Sequence, residues 1–220
     1  KNRGLNAAVL LYCRVDMFEN FSLVGLLIFV GSLLIAMTVH EFMHAWVGFK
    51  LGDTTARDEG RISLNPMAHI DPLLTVALPI VTYIIFHAPI LAAKPVPFNP
   101  HNLKYREWGA AMIALAGPVS NLVLAIIASI AARPLTDASL AHLVLFMFAQ
   151  LNIGLFLFNV IPIPPLDGSR VLYAFLPESG QELMERIEPY GFFIVFGLVM
   201  MGGLAGFLSG GYQFFTDLLF

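Results

Sequence analysis

The stretch His40-Glu41-Phe42-Met43-His44 decides how the rest of the chain is read. Histidines four apart sit one above the other on a single helical face. At that spacing both imidazoles can reach one Zn²⁺, with Glu41 beside them as a candidate general base. The surroundings are unusual for such a motif, because Phe21 to Val39 is almost unbroken apolar sequence. A carboxylate and two imidazoles are costly at membrane depth, and they mark function there.

Composition extends that reading outward. The 220 residues are 58% hydrophobic and only 12% charged, about half the charge of an average soluble domain. Long apolar runs recur, which predicts an all-α polytopic protein of a cell membrane rather than a soluble enzyme with a tail. A net charge of −3 with no basic patch excludes nucleic acid as a partner. Cys13 is the only cysteine, so there is no thiolate metal site and no intrachain disulfide. Any metal falls to His, Asp or Glu.

Four apolar segments are predicted to be helices. The first runs from about Phe21 to about Lys50 and is ended by Gly52 and Asp53. About thirty residues make roughly 45 Å of helix, more than the hydrocarbon core, so His40 and His44 lie near its emerging end. The second, from about Trp108 to Ala132, contains Gly117-Pro118-Val119-Ser120-Asn121, and the third, from about Leu140 to Val160, carries Asn152 and Asn159. The fourth is an additional C-terminal span from about Tyr190 to Leu208. That span and the residues just after it carry Gly202, Gly206 and Gly210 at four-residue spacing, suited to close helix packing within the monomer or to a dimer seam.

Between the first two helices, residues 53–71 are polar and broken. Segment 72–93 is apolar but interrupted by Pro79 and Pro89, and is expected to be short or re-entrant. Small β elements are expected near 60–64 and 94–98, and His69 is expected to make turn hydrogen bonds, with a supporting role at the site as the alternative. Residues 1–16 fit the rest poorly. Met17 stands directly before the first long apolar run, so 1–16 are expected to be upstream or cloning-derived sequence or a flexible segment, and 17–220 a single integral-membrane domain.

A catalytic zinc takes three protein ligands and keeps one position open. Asp167 is the choice for the third. It follows Pro162-Ile163-Pro164-Pro165 at the end of an apolar helix, where irregular backbone is tolerated only beside a cavity. A turn Asp before Gly168 is the competing reading, and the paired histidines tip the balance. If His40, His44 and Asp167 share a metal, they share a depth. Their two helices then run in the same direction, and residues 51–107 begin and end on one side. That side collects Lys50, Arg57, Arg61, Lys94, Lys104, Arg106, Arg170 and Arg186, so it is expected to be cytoplasmic.

With these residues assembled, the chain resembles the site-2 protease family of intramembrane zinc metalloproteases, in its compact prokaryotic subgroup without PDZ or CBS (nucleotide-sensing) domains. The matching motifs are the His40–His44 stretch, Gly117–Asn121, and Asn159-Val160-Ile161-Pro162-Ile163-Pro164-Pro165-Leu166-Asp167-Gly168. The resemblance implies that His40, His44 and Asp167 hold one zinc, that Glu41 is the catalytic base, and that Asn121 lies near the scissile peptide. An oxyanion donor is one role for Asn121, and a helix–helix hydrogen bond is the other. Asn152 and Asn159 are candidates for substrate binding or support. The implied substrate is a membrane protein with a single transmembrane segment, such as an anti-sigma factor or a remnant signal peptide. The competing reading is a non-catalytic membrane scaffold or a metal transporter.

Overall fold

A computed structural model describes residues 23–77, 81, 82, 84, 94 and 96–220. Among the described residues, three helices are each long and apolar enough to cross a membrane: α1 (Leu23–Lys50), α3 (Arg106–Ala132) and α4 (Leu140–Asn159). One-turn α2 (Thr55–Asp58) lies between the first two. After α4 come α5 (Asp167–Phe175), α6 (Glu178–Ile187), α7 (Gly191–Met200) and α8 (Ala205–Leu219). Leu23, Leu27 and Ile35 of α1 and Ile127 and Ile130 of α3 are exposed. An apolar outer surface of this kind is what lipid tails require.

Side-chain pairs fix the helix directions. Ala36 and His40 of α1 meet Asn121 of α3, while His44 meets Ile113. As α1 ascends in number α3 descends, so the two are antiparallel. Asn152 of α4 lies in the Ala36–Asn121 layer, and the chain leaving α4 reaches the His40–His44 layer at Asp167. Helices α1 and α4 therefore run in the same direction, as a shared metal demands. The segment joining α1 to α3 begins and ends together, with Lys104 N–H donating to Leu51 C=O at 2.9 Å.

Asp53, 1% exposed, fastens that junction. Its Oδ1 accepts from Thr55 N–H, the Thr55 hydroxyl and Asn102 Nδ2, and its Oδ2 accepts from Asn99 N–H at 2.7 Å. Burial alone would push this carboxyl up, but hydrogen bonds from Thr55, Asn99 and Asn102 hold it below the usual carboxylate range.

The expected C-terminal span from about Tyr190 to Leu208 is not one helix. A 3₁₀ turn at Glu188–Tyr190 leads into α7, and the α6–α7 run and α8 are bent by 76° at the break between them. Gly202 has φ +73, its N–H returns to Val199 C=O, and Gly203 N–H returns to Leu198 C=O. This paired capping pattern ends a helix at a left-handed residue. Hydropathy runs unbroken through Gly202-Gly203, so apolarity alone predicts continuity where the backbone turns. Past the turn, α8 descends antiparallel along α4. Thr216 donates to Gln150 at 3.2 Å, the Phe215 ring packs edge-on against Phe156, and Phe220 does so against Phe146. The glycine that packs is Gly211, where an added Cβ would lie 2.8 Å from Leu157, whereas Gly206 and Gly210 have open space.

There is no strand among the described residues, which corrects the β elements expected near 60–64 and 94–98. Gly60 has φ +70 and belongs to the turn that closes α2, with Arg61 N–H returning to Ala56 C=O at 2.8 Å. Ser63 C=O, which a ladder would use, accepts from His69 Nε2 instead. The buried Arg61 guanidinium ties Ala68 C=O to Lys94 C=O. Residues 1–16 and most of 72–93 lie outside the described residues; of the latter, Pro72–Ala77 form a π-helical turn.

Candidate metal centre

Three side chains from two elements converge on one point. His40 and His44, one turn apart on α1, present Nε2 atoms 2.9 Å from each other. Asp167, the first residue of α5, places Oδ2 3.1 Å from His40 Nε2 and 3.3 Å from His44 Nε2. These are the His, Asp and Glu side chains among the described residues grouped tightly enough to hold a metal ion. Both histidines are buried.

The protonation pattern shows that the group fits a cation. His44 Nδ1 faces Ile113 C=O at 2.7 Å. A carbonyl only accepts, so Nδ1 carries the proton and Nε2 offers its lone pair. His40 Nδ1 lies 2.6 Å from Asn121 Oδ1, which imposes the same tautomer. Asp167 Oδ2 is buried and has no hydrogen-bond donor. With both imidazoles neutral, three lone-pair donors thus face one another. Buried acceptors pointing at one another are unfavourable, and a bound cation satisfies all three at once.

The backbone has been cleared for this arrangement. Gly117 of α3 lies directly against the imidazoles: a Cβ there would sit 2.6 Å from His40 Nε2 and 2.5 Å from His44 Cε1. Gly168 lets α5 start against the end of α4, where a Cβ would lie 2.6 Å from Ile161 C=O. The arm carrying Asp167 is supported from behind, with Ile161 and Leu166 packed on Val195 of α7. An Arg170–Glu188 ion pair clips α5 to the turn before α7. Gly117 and Gly168 both stand inside the sequence motifs quoted above, but only the assembled helices reveal what they make room for.

The remaining sequence candidates are placed as follows. Glu41 is buried on α1 beside His40. Asn121 is wholly buried, with Oδ1 on His40 and Nδ2 donating to Asn152 Oδ1 at 2.9 Å and Ala36 C=O at 3.4 Å. Both of its amide hydrogens are therefore engaged between helices. Asn152 donates to Phe148 C=O at 2.8 Å. Asn159, at the end of α4, donates to Leu155 C=O. His69 is buried in its turn, bonded to Ser63 C=O, and stands outside the metal group.

Two buried histidines and a half-buried carboxylate, grouped among membrane-length helices, define a membrane protein with a metal-site donor set. Comparison with known proteins gives the lineage. Peptidase family M50 matches residues 128–202. YwhC of Bacillus subtilis, provisionally named a zinc metalloprotease, is 34% identical over 203 residues, 88% of this chain and 89% of that protein. Rip2 of Mycolicibacterium smegmatis, with the same provisional designation, is 30% identical over 206 residues, 89% of this chain and 75% of its own length. MJ0611 of Methanocaldococcus jannaschii, similarly named, is 30% identical over 168 residues, 76% of this chain and 81% of that one. No solved structure matches the chain. The chain belongs to the M50, or site-2 protease, family.

Proposed function

We propose that this protein is a zinc-dependent intramembrane endopeptidase of the HExxH type, hydrolysing a peptide bond within or near the transmembrane segment of a membrane protein. The observation that carries the reading is the buried Asp167 Oδ2, without a donor, facing two imidazole Nε2 lone pairs inside a bundle of membrane-length helices. His40, His44 and Asp167 would hold the ion. When bound, zinc supplies a Lewis acid that acidifies water and polarises the scissile carbonyl.

The chain's own groups do the rest. The Glu41 carboxylate takes a proton from the attacking water as oxygen adds to the carbonyl carbon. It then delivers that proton to the departing amide nitrogen as the C–N bond breaks. Backbone of a substrate helix is hydrogen-bonded internally in lipid, so the segment must unwind before attack. A single-span substrate, such as an anti-sigma factor or a remnant signal peptide, presents the kind of helix that suits this task. The cations at the Lys50–Arg106 end, against Arg133 at the other, favour a site opening toward the cytoplasm.

The experiment is Glu41→Gln in proteoliposomes with a single-span substrate. The variant is expected to keep one zinc per chain and lose cleavage by at least about 100-fold, the lower range for general base catalysis. Cleavage at the wild-type rate would remove Glu41 as base. Wild-type protein that retains no zinc after repletion would move the reading to a scaffold.

A further inference from the structure

The hydrogen-bond chain behind His40 runs through three helices, and its polarity can be read from one end to the other. It starts at Phe148 C=O on α4, a backbone carbonyl that only accepts. Asn152 must therefore turn its NH₂ toward it, as the 2.8 Å bond shows. That leaves Asn152 Oδ1 facing α3, where it accepts from Asn121 Nδ2 at 2.9 Å. The second Asn121 amide hydrogen points at Ala36 C=O of α1, at 3.4 Å, another group that only accepts. Two independent carbonyls thus forbid a flipped Asn121. Its Oδ1 has one direction left, toward His40 Nδ1 at 2.6 Å.

An acceptor at that position requires a proton on Nδ1, so the neutral ring keeps its lone pair on Nε2, which faces Asp167 Oδ2. Both asparagines are 0% exposed, so water does not compete for either amide. Reversing any one member would set two acceptors or two donors face to face in a dry interior, where each unmet group costs about 1–3 kcal/mol. His44 needs no such relay, since Ile113 C=O holds it directly.

We propose that Asn152 and Asn121 are positioning residues forming a polarity relay that fixes the ligating tautomer of His40 once α1, α3 and α4 have assembled. Neither residue touches the ligand set's converging atoms; both act through His40. The relay rests on the metal-site reading above, yet its immediate effect, the position of one proton, exists without metal. Asn121 is thereby drawn away from the scissile peptide and into the support of the site.

The test is ¹⁵N-histidine NMR on the metal-free, full-length protein, alongside zinc competition against a chelator. The His40 and His44 signals are assigned by substitution. Wild type is expected to show His40 protonated at Nδ1. Asn121→Leu is expected to populate the Nε2–H form and to weaken zinc binding about 10–100-fold, the usual effect of losing a partner behind a ligand. Asn152→Leu should shift the same signals by a smaller amount, and adding it to Asn121→Leu should change nothing further. Asn121→Asp restores an acceptor facing His40 and should restore the Nδ1–H form, even though it disturbs helix packing more than Leu does. His44, held by a backbone carbonyl, should be unchanged throughout and certifies the fold in each sample. A His40 tautomer unaffected in both Leu variants, with His44 intact, would overturn the relay. A wild type with the Nδ1–H tautomer but no zinc binding would instead sink the metal reading and leave the relay standing.

Discussion

Gly117 shows how little tolerance the centre has. The helix that supplies Asn121 also passes so close to His40 and His44 that one methyl group would displace both Nε2 atoms. Gly117→Ala is therefore expected to drop zinc content from one per chain to near zero. Gly31→Ala on α1, where a Cβ meets nothing within 4 Å, should leave zinc content unchanged. Its helix should gain about 0.5–1 kcal/mol from the higher propensity of alanine. Metal analysis of the two purified variants is sufficient; zinc retained by Gly117→Ala would mean that the imidazoles can retreat from α3. Asp167→Ala should also lose the metal, because it removes the sole carboxylate of the group.

At the scale of elements, the junction around Asp53 makes a pH prediction. The folded-state pKa of Asp53 lies below its unfolded value, which is about 3.9, because hydrogen bonds from Thr55, Asn99 and Asn102 outweigh burial. A depressed carboxylate contributes stability that is fully present above the unfolded pKa and is lost as pH falls through the folded one. Asp53→Asn is expected to cost about 1–3 kcal/mol near pH 7, the range for disrupting a buried charged hydrogen-bond group. The gap should begin to narrow below about pH 4, the unfolded value, and close only as pH falls through the lower folded one. Thermal unfolding in detergent across pH checks both statements, and an equal gap at pH 3 and pH 7 would refute the assignment.

The elements also show where the sequence is transparent. Helices α1, α3 and α4 follow from uninterrupted hydropathy together with their end signals, and the three residues that could hold a metal follow from chemistry that is out of place in lipid. The bend at Gly202 is hidden because glycine adds nothing to an apolar sum, and its left-handed backbone shows only in dihedral angles. The 60–64 segment reads as extended from its composition, but tertiary partners decide it: Ser63 C=O goes to His69 and Arg61 ties the loop to Lys94. Asn121 is visible as an intramembrane polar residue. Whether its amide serves a substrate or a histidine depends on Asn152, far along the chain, and no local spacing reports that.

For the whole molecule, parallel α1 and α4 with antiparallel α3 between them put Lys50 and Arg170 at one end of the bundle and Arg133 at the other. With Cys13 replaced by Ser, single cysteines at Arg57 and Arg170 should react with an impermeant maleimide from one face of sealed vesicles. A cysteine at Arg133 should react only from the opposite face. Labelling of Arg57 and Arg170 from different faces would contradict the shared depth of the ligands.

The distance in sequence between the ligands sets an order on biogenesis. His40 and His44 leave the ribosome early, while Asp167 follows only after α3 and α4 have been made. A nascent chain carrying the two histidines alone offers a metal only half a grip, and neither Asn121 nor Asn152 is yet present to orient His40. Metal capture is thereby deferred to the end of insertion, when the arm carrying Asp167 folds back against the bundle. If the chain is the protease proposed above, a half-built copy consequently has no complete site with which to cut. Chains truncated after residue 160 should insert and yet acquire no zinc, so that synthesis itself serves as the safety catch.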